Sequence, residues 1–411
     1  MPNSILIIAF HFPPIASSSG MQRATKVVRY LTEDGWDPVV LTVSPRAYGN
    51  TNPSQLREIP DGVPVCRAFG LDATRHFAIK GRYLDFLAWP DPWASWIPFA
   101  TMAGKRLIKR YKPKIIWSTF PITSSNVVAC RLAEWSKLPW ISDLRDPITL
   151  DGYPVDPTRY KQAVAIEKKT IKHASKVVFT AEHTRQIYLG RYPELEGRAE
   201  LIPNGYDEAN FPQLTEEAMK SDKRLFLLHS GAMQPKGRNP GTFFAALRKL
   251  KERGVVSAEK LRVVFRASGF DGQYRGMAEE AGVDDIVTLE PHLPYEKAIR
   301  EMVSADGLLV FQGTIYNHAM PAKVYEYLYA RRPMLGIVDK AGETNHALGE
   351  MGITATADIA DPDEIADKLE EFLTELGNGS YSLPSDSIVK KYSRRSQVMV
   401  LSQLLRQASA V

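Results

Sequence analysis

Uninterrupted apolar runs of strand length recur along this chain, and each is followed by a stretch whose apolar residues repeat with helical period. The first run is 5–10, ILIIAF; the helix expected after it, 21–32, carries Met21, Ala24, Val27, Val28 and Leu31 on one face. Runs 38–43, 115–119, 139–143 and 176–181 continue the series, with helices expected at 125–136, 160–173 and 183–189 and a strand-turn at 201–207. After a polar stretch, a second series offers strands 225–230, 261–267, 286–289, 307–311 and 334–338 and helices near 242–253, 274–281 and 295–304. A strand buried on both faces reads as a continuous hydrophobic run, and a parallel neighbour needs a crossover that is usually a helix. The alternation therefore specifies α/β layers, and its two separate runs predict two doubly wound, Rossmann-like domains facing a cleft. The expected limits are 1–207 for the first domain, 208–224 for a linker and 225–386 for the second. The last stretch, 387–411, follows a helix at 364–376 and carries Val389, Val398, Leu401, Leu404 and Leu405 with no strand after it. Such a stripe must dock on something already built, which predicts a helix crossing back to the first domain. A length of 411 residues also exceeds one ordinary core.

Doubly wound sheets bind ligands outside the carboxyl ends of their strands, so the loops there hold the candidate chemistry. The stretch 321–333, PAKVYEYLYARRP, lies between two strands of the second series. Pro321 suits the first turn of a helix, because its φ is already helical and its missing N–H needs no partner there. Arg331 and Arg332 suit the carbonyl end, and Pro333 stops the helix. The loop 312–320, leading to Pro321 and Ala322, is then expected to present unpaired backbone N–H groups, a place for a phosphate. Lys323 and Glu326, three apart, share a face, so a cation can meet phosphate while a carboxylate accepts from hydroxyls. Together they suggest a nucleotide; a surface helix with an ordinary ion pair reads the same way until context decides.

In the first series, FHFPP and Gly20 link strand 5–10 to its helix. The G-x-G-x-x-G spacing that a dinucleotide pyrophosphate requires is absent. One glycine at a helix start either lets the helix approach an anion or sugar or serves the turn alone. Strand 139–143 runs into SDLRDP, which makes Asp143, Arg145 and Asp146 site candidates, with Asp143 or Asp146 positioning an acceptor hydroxyl or taking its proton; a loop-tying Asp/Arg pair is the alternative. Residues 83–99 gather Phe86, Leu87, Trp89, Trp93, Trp96, Ile97 and Phe99, and Lys105, Arg106, Lys109, Arg110, Lys112 and Lys114 follow. That pattern fits a peripheral contact with an anionic membrane through 83–114, or else a cleft lining beside a solvated basic face.

No run is long enough to span a bilayer, and residues 1–10 read as a first strand, not a signal peptide, so the expected location is the cytoplasm, at the inner face of the plasma membrane. Cys66 and Cys130 have neither metal nor redox spacing, which fits a reducing compartment. A net charge of +5 and the lack of a recognised module argue against nucleic acid.

Five motifs, in order, resemble those of the family 4 glycosyltransferases with the GT-B fold: FHFPP with Gly20, SDLRDP at 142–147, IPNGYD at 202–207, SGAMQPKGRNP at 230–240 and MPAKVYEY at 320–327. The D-L-R-D-P stretch is similar to a signature of the bacterial branch that builds surface polysaccharides. The resemblance implies a retaining, metal-independent transfer from a nucleotide diphosphate sugar, held by the second domain, to a saccharide or lipid-linked saccharide held by the first. It places Glu326 on donor hydroxyls, Lys236 and Arg238 on the diphosphate, and Gly20 and Gly231 near the phosphates. His318 stands where the family has a glutamate, and Ala232 where an arginine usually follows the glycine; Arg238 is assigned that charge. No cofactor is required and no metal ligand is expected: Asp361 and Asp363 form the D-x-D of a helix cap. A sugar-nucleotide 2-epimerase of the same fold and a non-catalytic nucleotide-sugar-binding subunit, kept open by His318, are the alternatives.

Overall fold

The computed structural model describes residues 3–16, 19–78, 80, 82–211 and 223–410. The chain divides into two units, Met1–Asn204 with Arg394–Val411, and Gly205–Ser393. These limits differ from the expected ones at 207 and 386. Of the expected linker, Glu208–Asn210 form a 3-10 turn in the second unit, and 212–222 lie outside the described residues.

In the first unit the elements run β1 (Ser4–Ala9), α1 (Ser19–Glu33), β2 (Asp37–Val43), β3 (Val65–Ala68), α2 (Ala73–His76), α3 (Trp96–Tyr111), β4 (Ile115–Thr119), α4 (Thr123–Ser136), β5 (Trp140–Leu144), α5 (Pro157–His173), β6 (Lys176–Phe179), α6 (Glu182–Arg191) and β7 (Ala199–Leu201). Seven parallel strands lie in the order β3-β2-β1-β4-β5-β6-β7. The strand order reverses between β1 and β4, the switch point at which such sheets bind ligands. β1 is buried throughout, as its unbroken apolar run requires.

The second unit contains β8 (Leu225–Ser230), α7 (Gly241–Glu252), β9 (Leu261–Arg266), α8 (Asp271–Glu280), β10 (Val287–Glu290), α9 (Tyr295–Ser304), β11 (Gly307–Gln312), α10 (Lys323–Ala330), β12 (Met334–Val338), α11 (Glu343–Glu350), β13 (Thr356–Asp358), α12 (Pro362–Asn378) and α13 (Asp386–Lys391). Its six parallel strands follow β10-β9-β8-β11-β12-β13, with the switch point between β8 and β11. Asp361 caps α12 by accepting from the amides of Asp363 and Glu364.

The terminal stretch is two helices, not one. α13 ends at Lys391, and α14 (Arg394–Ser409) belongs to the first unit, where Val398, Leu401, Leu404 and Leu405 pack with Ala24, Val27, Val28 and Leu31 of α1. Ser402 accepts from the Trp36 indole at 2.7 Å, and Arg406 pairs with Asp34 at 2.8 Å.

Candidate functional site

The carboxyl ends of β8 and β11 carry two loops that interlock through glycines. Gly313 donates to the carbonyl of Gly237 at 2.6 Å, and a Cβ on Gly313 would stand 2.9 Å from that oxygen. Gly237 has φ +84°, and a Cβ there would meet Ile315 Cγ1 at 2.4 Å, so neither position has room for a side chain. Gln312, at the end of β11, organises the seam. Its Nε2 donates to the carbonyls of Tyr316 and Ala319, and its Oε1 accepts from Arg238 Nε at 2.7 Å. The Arg238 guanidinium lies 4.6 Å over the Tyr316 ring, a position that orients it by stacking. Lys236, on the same loop, is exposed.

α10 completes the site. Tyr327 is fully buried and accepts from the amide of Ser230 at 2.7 Å, which fixes the helix to the end of β8. Lys323 Nζ lies 2.9 Å from His229 Nε2 and would be 2.7 Å from a Cβ on Gly231, whose φ is +123°. His229 is buried, with Nδ1 2.9 Å from the Leu309 carbonyl. A carbonyl only accepts, so Nδ1 carries the ring proton and Nε2 accepts from the lysine. Burial, then the adjacent ammonium, hold His229 well below the ordinary histidine range. Burial, and secondly the Arg238 charge, push Lys323 down to about 7, against the pull of Glu326. Glu326 is half-buried and accepts from the Tyr295 hydroxyl at 2.7 Å. His318 is half-buried in the loop before the helix.

Two expectations need correction here. Pro321 is not in the first turn: the helix begins at Lys323, with Ala322 as its exposed cap residue and Pro321 buried before it. The loop amides are also not a free ring. Those of Gly313, Tyr316, Asn317 and Ala319 bond to carbonyls nearby, because the loop folds on itself in tight turns. His229 and Gln312 were missed because they lie inside or at the end of apolar strands, where no motif marks them.

In the first unit, Gly20 opens α1 against a pair of basic residues: a Cβ there would come 3.0 Å from His11 Nδ1 and 3.1 Å from Arg145 Nη2. Arg145 is anchored by donating to the Phe120 carbonyl, at 2.6 Å, after β4. Burial, then Arg145, lower His11 to about 4, so it is neutral near pH 7. Asp146 is exposed just past β5. Asp143 is different: it is fully buried, its oxygens taken by Arg23 at 2.8 Å and by Thr119 at 3.0 Å. Arg23 also reaches the Ile202 and Pro203 carbonyls. Asp143 thus ties α1 to the sheet and exposes no oxygen to an acceptor, which speaks against the role expected for it.

Elsewhere in this unit Cys130, Glu134 and His173 bring possible donor atoms within 4.8 Å of one another, a grouping their sequence spacing does not show. Glu134 and His173 already pair at 3.1 Å, and burial, then Glu134, raise the Cys130 thiol to about 11, leaving it protonated. A thiol held in that form is a poor metal ligand.

Residues 19–205 match the family model of a glycosyl transferase 4-like domain. No curated protein sequence matches the chain. Among solved structures, the chain is similar to sucrose-phosphate synthase from Thermosynechococcus elongatus, at 16% identity over 99% of this chain and 99% of that one, with a TM-score of 0.65. It is similar to HepE from Anabaena, solved in complex with UDP and glucose, at 12% identity over 98% and 99% of the two chains, TM-score 0.67. A Listeria monocytogenes protein assigned as a UDP-N-acetylglucosamine 2-epimerase matches at 11% identity over 100% and 98%, TM-score 0.60. The chain has the GT-B fold, two parallel-sheet α/β units, and its first unit carries the glycosyl transferase 4-like match.

Proposed function

We propose that the protein is a glycosyltransferase that takes a sugar from a nucleotide diphosphate sugar bound to the second unit and passes it to a saccharide or lipid-linked saccharide bound to the first. The observation that carries this reading is the set of cations at the β8/β11 switch point, Lys323, Arg238 and Lys236, with Glu326 on the same helix as Lys323. Cleavage of the anomeric C–O bond leaves negative charge on the departing diphosphate, and preset cations stabilise that charge as it grows. Three side-chain charges can do this without a metal. Glu326 accepts from donor hydroxyls, and His318 donates to a phosphate or a sugar hydroxyl. Gly231 leaves room for the Lys323 amine, and in the first unit Gly20 leaves room beside His11 and Arg145. The HepE complex with UDP and glucose supports a uridine nucleotide as donor. Asp146 is the carboxylate left to position the acceptor. Retention of configuration, the family 4 subtype and a place in bacterial surface polysaccharide synthesis belong to the same reading, as does peripheral attachment to the inner face of the plasma membrane.

One comparison favours a second reading, a sugar-nucleotide 2-epimerase, which needs no acceptor. A panel of nucleotide sugars separates the two. A transferase hydrolyses one donor slowly and consumes it quickly once acceptor is added; an epimerase returns a new sugar nucleotide from donor alone. Lys236→Ala and Arg238→Ala should each lower kcat on that donor by about a hundredfold. Unchanged kcat in both variants would remove these cations from the leaving-group site.

A further inference from the structure

The donor site contains a histidine that no motif identifies and that the proposed chemistry does not use. His229 sits in the middle strand of the sheet, beside the switch point, with both ring nitrogens occupied: Nδ1 donates to Leu309 and Nε2 receives Lys323. We propose that His229 and Lys323 form one proton-holding pair that gates the donor site. With its proton, the ammonium held beside Gly231 captures the diphosphate of a nucleotide; without it, the site loses that charge and binds more weakly. The inference rests on the donor reading above and adds its regulation by pH.

Geometry leaves the lysine little freedom. Its amine is fixed between the imidazole and the Gly231 backbone, whose missing side chain leaves the space the amine occupies. The charged and titratable groups facing the pair are few. From β8 there is His229 itself; from the loop after β8 there is Arg238, held by Gln312 of β11 and stacked on Tyr316. From its own helix there is Glu326, which the Tyr295 hydroxyl of α9 engages. One cation opposes the proton and one carboxylate favours it, while burial opposes it most. Lys323 consequently titrates near 7, where a change of pH alters its charge. His229 stays neutral over the same range, so it acts as an acceptor that places the lysine and never as a second charge. It is a positioning residue, and Lys323 is the group that meets the ligand.

The sign follows from linkage. A ligand that binds only the protonated lysine loses affinity as pH rises through the value of the free protein, by as much as about tenfold per pH unit above it. The test is calorimetric binding of UDP, GDP and ADP to the whole chain between pH 7 and 9.5, where the terminal phosphates, with a pKa of about 6, are already ionised. Affinity of the nucleotide that binds should fall across this range. Lys323→Arg, charged throughout, should flatten the profile. His229→Leu should move the fall to lower pH by removing the acceptor, and His229→Gln, which keeps one, should restore it. A flat profile in the wild type, or a profile in His229→Leu that coincides with the wild type's, would overturn the pair. A second measurement needs no ligand: the nitrogen resonances of the His229 ring should show Nδ1 protonated and an Nε2 signal that shifts with a midpoint near 7. A proton on Nε2, or no shift, would also overturn it. Failure of all three nucleotides to bind at any pH would overturn the donor reading instead, with the ring signal still reporting on the pair.

Discussion

Arg23 and Asp143 meet through two bonds of 2.8 Å, and both side chains are almost wholly withdrawn from water. Removing one partner strands the other charge in the interior, at a cost of about 3–5 kcal/mol. Asp143→Ala should lower the stability of the first unit by about that much in urea unfolding at pH 7, and adding Arg23→Met should recover most of the loss. Recovered stability with turnover still absent would return Asp143 to the chemistry. In the sequence, the charges of SDLRDP stood out at a strand end, but their division of labour did not. Asp143 points inward because its partner, 120 positions away on α1, is itself an arginine in a helix that reads as ordinary. Asp146, exposed three residues later, carries no such tie in the motif that names it. His229 was hidden for the opposite reason: it interrupts an apolar strand with a single polar letter, and its use depends on the lysine brought to it by α10.

Elements with a strong pattern were readable. β8, α9 and β12 fall on the expected residues, because continuous apolar runs and a clean helical face leave one solution. β3 and β13 escaped notice since they are short edge strands, half-buried, with no apolar run to mark them. How α3 divides its aromatic neighbourhood was not readable. Trp96, Ile97 and Ala100 face the core, with Trp93 packed against Phe10 at 4.9 Å, while Phe99 and Met102 remain 41% and 48% exposed. Beside them lies Phe69, whose ring is 4.9 Å from Phe99, and in the preceding segment Leu84 and Phe86 are exposed by 63% and 71%. Arg106, Lys109 and Arg110 are exposed farther along the same helix. Apolar side chains next to cations fit the interface of an anionic bilayer, where each basic residue contributes about 1 kcal/mol. The protein should therefore co-sediment with phosphatidylglycerol-containing vesicles and be released by salt. Arg106→Ser with Lys109→Ser should weaken that binding by about tenfold or more. Equal binding to neutral vesicles, or binding indifferent to both substitutions, would leave the patch without a membrane role.

At the scale of the molecule, two series of strands in the sequence became two sheets, each with its own switch point and its own pair of apolar clusters. The chain does not respect that division in order: α14 returns to the first unit after the second is complete, and its leucines fill the cluster that begins with Ile5 and Ile7. An apolar stripe without a strand to follow it announced a docking helix, but the break after Tyr392 had no proline or glycine to announce it. Separate cores mean that a ligand gripped by one sheet's loops stabilises that unit first. If the nucleotide is held by Lys236, Arg238 and Lys323, UDP at a hundred times its Kd should add about 2.7 kcal/mol to the second unit, a slowing of about a hundredfold for amides that exchange only when that unit opens. Hydrogen exchange followed by mass spectrometry should then show added protection in β8, β9, β11 and β12, with β1, β2, β4 and β5 exchanging as before. Protection confined to the first sheet would move the nucleotide to the Gly20 and Arg145 corner and leave the cations of β8 and β11 without a ligand. Equal protection of both sheets would mean that the two units open together, so that the nucleotide's binding energy stabilises them as one.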